Sequence, residues 1–95
     1  MLDVRTARTG RPTAVLGGVW LHSRYDPEAE AARYAGGVAD PAPSTVILLG
    51  GELGHVSQAL VRRFPGSRLL EVFYDSEVLA AARPLLPPAV LAWHP

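Results

Sequence analysis

Ninety-five residues allow one small domain, and 48% hydrophobic with 19% charged residues fits a globular chain that buries a core. Nine basic side chains, all arginine, balance nine acidic ones, and zero formal charge speaks against nucleic acid, whose binding runs on phosphate neutralisation. The lack of cysteine removes disulfides and zinc–thiolate sites, and no apolar run approaches the ~20 residues of a bilayer span. No apolar signal-peptide core follows the opening MLDVRTARTGR, so a cytoplasmic address without membrane or nucleic-acid partners is expected.

Residues 1–12 form a basic arm, read as a frayed terminus or an edge strand. Residues 13–22 predict a β-hairpin. Two partly β-branched runs flank Gly17-Gly18, and glycine supplies the positive φ of a tight turn. Alternation places Trp20 and His22 on one face, Val19 and Leu21 on the other. A helix follows over 26–35, with Asp26 as N-cap, Pro27 in the first turn, and Gly36-Gly37 closing it in the left-handed conformation. Its apolar content is mostly alanine, which favours close packing over large buried area. Asp40 to Ser44 is a proline-broken linker.

Residues 45–93 predict a βαβαβ unit. Thr45 to Leu49 is a continuous apolar run, as expected of a parallel strand covered on both faces. Leu53, Val56, Ala59, Leu60 and Phe64 share one helical face, and Pro65-Gly66 ends that helix. Arg68 to Phe73 is the next strand. Asp75 or Ser76 caps a third helix that Pro84 distorts, and Ala89 to Trp93 is a last short strand. The fold class is therefore α/β: a small Rossmann-like half unit of three parallel strands, with an N-terminal hairpin and flanking helices. The open side of such a sheet calls for cover by the hairpin, a second copy or further residues.

The chemical candidates lie in two places. Gly50, Gly51 and Gly54 let backbone approach a ligand, the helix start behind them favours an anion, and His55 could donate to it. Glu52 opposes this, because a carboxylate repels phosphate. The other reading is a tight strand-to-helix turn without a ligand. Strand, glycine turn, helix and strand also match an S-adenosylmethionine site, which requires an acid after the second strand. Phe73 stands there. Glu71 shares its parity about 7 Å back along the strand. Asp75 is either a ribose-binding acid or a helix cap.

The second place is His22-Ser23-Arg24-Tyr25-Asp26, where His22, Arg24 and Tyr25 are ligand or interface candidates. The structural alternative has Asp26 capping, Arg24 paired with an acid and Tyr25 packing its ring. A Ser-His-Asp triad fails because His22 and Ser23 are adjacent. His22, His55 and His94 lack metal-ligand spacing and are expected to be partly exposed polar residues.

The block LHSRYDPEAEAARYA (21–35), followed by VILLGGELGHVSQALVRRFP (46–65), resembles the N-terminal module of motility-associated-factor (Maf) flagellin glycosyltransferase-like proteins, grouped with 6-hydroxymethylpterin diphosphokinase MptE-like proteins. The resemblance spans roughly residues 13–86, and His22 to Pro27 is its specific part. Glu52 and His55 depart from the family's glycine-rich turn, and Phe73 from its strand-ending acid. The resemblance implies a bacterial, non-catalytic module of a flagellin-modifying enzyme that uses a nonulosonic sugar donor. Its partner would be a downstream catalytic domain or a second copy in a homo-oligomer, with nucleotide or S-adenosylmethionine as the cofactor a retained cleft would take.

Overall fold

A computed structural model describes residues 1–38 and 42–95. The part of the expected linker at Asp40 and Pro41 lies outside them. The described residues form an α/β fold with two three-stranded sheets and three helices. Strands β1 (Leu2–Thr6), β2 (Pro12–Leu16) and β3 (Val19–Trp20) form an antiparallel sheet in that order. Helix α1 (Pro27–Gly36) leads to β4 (Thr45–Gly50), α2 (His55–Arg63), β5 (Arg68–Phe73), α3 (Ser76–Ala82), a 3-10 turn (Arg83–Leu85) and β6 (Val90–Trp93). Strands β4, β5 and β6 are parallel and adjacent in chain order.

The hairpin turns at Gly17 (φ 56°) and Gly18 (φ 82°), values that side chains resist. Strand β1 pairs with β2 from Leu2↔Leu16 to Thr6↔Pro12, so the N-terminal segment is the edge strand and not the frayed arm. Beyond it, the Arg8 and Thr9 amides donate to the Arg24 and Tyr25 carbonyls. The expected alternation stops at Trp20, where β3 ends. His22 turns inward and is buried, while Trp20 stays exposed.

Asp26 caps α1 by accepting from the Ala29 amide at 2.9 Å. The helix closes at Gly37 with φ −86°, a right-handed conformation that corrects the left-handed cap expected there. Ala31 and Ala35 pack against Ala59 and Leu60 of α2 and Phe64 just past its end, where small side chains let the two helices approach. The 3-10 turn follows α3 at Pro84, which lacks the amide a further α-turn would need.

The expectation that β4 is covered on both faces fails. Parallel crossovers are right-handed, and both advance the same way across the order β4-β5-β6. Helices α2 and α3 therefore share one face. Val46, Leu48, Leu69 and Val90 on that face join the α1–α2 core. Phe73 and Ala92 pack with Val78 and Ala82 of α3 and with Leu2, Leu16 and Leu21 of the hairpin region. On the opposite face Ile47, Leu49, Leu91 and Trp93 are exposed.

Candidate functional site

The glycine turn joins β4 to α2. Gly50 has φ 111° and Gly54 φ 109°, both in the left-handed region. A Cβ on Gly54 would lie 2.9 Å from Leu85 Cβ and 3.1 Å from its carbonyl carbon, so the 3-10 turn packs directly on this residue. A Cβ on Gly51 would meet Val78 Cγ1 at 3.4 Å. At both positions the close neighbour is the protein itself.

Helix α2 starts with amides that lack intrahelical partners and carry the positive end of the dipole. Glu52 turns back to meet them. Its Oε1 accepts from the Gly54 amide at 2.7 Å and the Val56 amide at 2.9 Å. These are the donors that a bound phosphate or carboxylate would use. The Glu52 carboxylate is buried and supplies the anion from within the chain.

Behind it lies a buried polar cluster of His22, Glu52, His55, Ser57 and Glu71. His22 Nε2 accepts from the Leu53 amide at 2.8 Å, which requires a ring nitrogen without a proton. Burial lowers the His22 pKa most, with His55 adding to the effect, while Glu52 and Glu30 oppose it. Its Nδ1 lies 3.7 Å from Glu30 Oε1. His55 Nε2 faces the Pro12 carbonyl at 2.7 Å, and because a carbonyl only accepts, that nitrogen carries the proton. The two rings meet edge to face at 4.9 Å. Both histidines are thus interior residues, which corrects the partly exposed reading. They bind the hairpin region to the turn.

Burial pushes the Glu71 carboxyl up to about 10, the adjacent Glu52 carboxyl acts in the same direction, and the Ser57 hydroxyl opposes them. Glu71 is therefore neutral at ordinary pH. Glu52 Oε2 and both Glu71 oxygens are otherwise without hydrogen-bond partners. A proton on Glu71 gives this pair of adjacent carboxyls a donor, which two ionised carboxylates would lack.

Asp75 lies at the mouth of the crevice above β4 and β5, but its Oδ1 accepts from the Glu77 and Val78 amides at 2.8 and 3.1 Å and caps α3. That crevice holds about 200 Å³, and Leu16 and Leu21 of the hairpin region line it with Gly50 and Gly51. Small-molecule sites usually occupy ~300–1,000 Å³. His22, Arg24 and Tyr25 border a separate open groove of about 570 Å³ with Trp20, Ser23 and Glu30. Arg24 has no acidic partner among the described residues and lies over the Tyr25 ring at 5.0 Å, in place of the expected ion pair. Ser23 Oγ accepts from the Tyr25 and Asp26 amides, and the Ser23 amide donates to Glu30, so this block shapes the entry to α1.

No family model, curated protein or solved structure matches the chain. Among the described residues no group of three or more His, Cys, Asp or Glu side chains could hold a metal ion, and no helix is long and apolar enough to cross a membrane. The buried role of Glu71 and Ser57 was not anticipated from sequence. Its one local sign is an acid in phase with Leu69 and Phe73 on an apolar strand face.

Proposed function

We propose that this chain is a Rossmann-like, non-catalytic module of a Maf-like flagellin glycosyltransferase, acting in the cytoplasm to position or assemble the larger protein. The family assignment rests on His22 to Pro27 and on the RFP at residues 63–65 that follows the glycine turn. The non-catalytic reading rests on one observation: Glu52 Oε1 occupies the amides of Gly54 and Val56. The nucleotide cleft is vestigial, closed by a side chain in the turn and narrowed by Leu16 and Leu21.

A degenerate S-adenosylmethionine methyltransferase is the competing reading. It needs a free acid for the ribose. Asp75 is engaged as a cap, and Glu71 is buried and neutral. Calorimetry with S-adenosylmethionine and with a nucleotide sugar separates the readings. Neither ligand should give heat with the wild-type chain at micromolar concentrations. Micromolar binding of either rejects the vestigial cleft, and binding of S-adenosylmethionine alone favours the methyltransferase type.

A further inference from the structure

Two histidines tie the hairpin region to the glycine turn and α2, and they do so in opposite chemical senses. His55 Nε2 donates to the Pro12 carbonyl at 2.7 Å. That nitrogen carries its proton in the neutral and the charged ring alike, so the contact survives protonation. His22 Nε2 accepts from the Leu53 amide at 2.8 Å. Only the neutral ring offers that lone pair, and the imidazolium would set one donor against another. One tie is indifferent to a proton and the other is broken by it.

The His22 backbone is fixed on the hairpin side. Its carbonyl accepts from Thr13 Oγ1, and the neighbouring Leu21 amide donates to the Ala14 carbonyl. The imidazole is thus an arm carried by the hairpin and laid on the turn. We propose that His22 is a proton-operated clasp: a proton on Nε2 releases the turn at Leu53, while His55 and the apolar contacts of Leu2, Leu16 and Leu21 keep the hairpin in place. The groups facing the ring come from several elements. Glu52 Oε1 of the turn lies 3.9 Å from Nε2 and Glu30 Oε1 of α1 lies 3.7 Å from Nδ1, and both favour the imidazolium. Glu71 of β5 stands beside Glu52 and is neutral, and Arg24 lies over the Tyr25 ring. Burial opposes the imidazolium most strongly, and the His55 ring of α2 adds to it. The closed form therefore binds a proton less tightly than an opened form whose ring reaches water, and acid shifts the balance toward release. Glu52 Oε1 is held by the Gly54 and Val56 amides, so the anion position stays filled as the clasp opens.

The clasp is independent of the module reading above, and its test involves no ligand. Nitrogen-15 NMR of the wild-type imidazoles at about pH 7.5 should show His22 Nε2 without a proton and His55 Nε2 with one. Each pH unit below 6.5 favours the opened form by up to about tenfold. Amide exchange, corrected for its intrinsic pH dependence, should therefore show Leu53 losing about tenfold in protection between about pH 7.5 and 5.5. Protection of Gly54, of Val56 and of Ala82 in the α3 core should not fall with it. His22→Gln keeps a side-chain carbonyl for the Leu53 amide and cannot take a proton, so Leu53 protection in that variant should stay level. The wild-type measurements decide the matter even where the variant fails to fold. A protonated His22 Nε2 at about pH 7.5, level Leu53 protection in the wild-type chain, a fall shared by Gly54, Val56 or Ala82, or a fall that persists in His22→Gln overturns the proposal.

Discussion

Each face of the β4-β5-β6 sheet carries a departure from the usual distribution of polarity. The covered face buries Glu71 at 1% exposure between Leu69 and Phe73, whereas the bare face shows Leu91 at 69%. Burial of a carboxyl costs free energy unless the group is neutral or paired, and exposed apolar surface is ordinarily buried against something. The contrast teaches that each face is shaped by what lies against it. Glu71 is tolerated because Glu52 and Ser57 of the turn and α2 sit beside it. The other face leaves Ile47, Leu49, Leu91 and Trp93 of the two outer strands exposed.

The largest test of this contrast is truncation on the covered face. Phe73→Ala should cost about 3–5 kcal/mol, read by urea unfolding, because Phe73 is fully buried against α3. A loss below about 1 kcal/mol would mean that the α3 core is not packed as described.

Titration sharpens the contrast next. Glu71 holds its proton in the folded chain up to about pH 10, while the unfolded carboxyl releases it near 4.5. Between those values the unfolded state binds fewer protons, so stability falls as pH rises, by at most ~1.4 kcal/mol per unit. Glu71→Gln keeps a donor toward Glu52 and cannot ionise. It should raise the unfolding free energy near pH 8 on the order of 3 kcal/mol, with the gain vanishing toward pH 4.5. His22 slopes the other way. Its folded pKa lies below 6.5, so its contribution is present above 6.5 and is lost as pH falls below that value. In the Glu71→Gln chain this acid-side loss should stand alone in the unfolding curves.

Gly54→Ala comes third, at about 2 kcal/mol or more of destabilisation, since its φ is 109° and Leu85 Cβ stands 2.9 Å from the added methyl. The smallest effect belongs to the bare face. Leu91→Ala should change the stability of the chain by less than about 0.5 kcal/mol, in contrast to Phe73→Ala on the same sheet. Comparable losses at both positions would erase the distinction between the faces.

Local signals in the sequence carried much of the fold. Gly17-Gly18 announced the hairpin, and Asp26 and Asp75 announced the starts of α1 and α3, because turn and cap chemistry acts over a few residues. The run Thr45 to Leu49 misled for a physical reason: apolar residues on both sides of a strand record two burial requirements, not that one chain meets both. His22 and His55 were legible as residues but not as interior ones. Their partners Leu53 and Pro12 are 31 and 43 residues away in sequence. Glu52 was visible as a misplaced charge in the turn. That it caps α2 depends on the Gly50 and Gly54 backbone angles, which no spacing rule specifies.

The central claim is that the anion position at the start of α2 is already filled by Glu52. Amide NMR of Gly54 and Val56 tests it most directly, during titration of the wild-type chain with inorganic phosphate and then with a nucleotide sugar. The account predicts that both resonances stay in place in the wild-type chain and move in Glu52→Gly, whose turn amides are left open. Saturable shifts of the wild-type Gly54 and Val56 amides would contradict it.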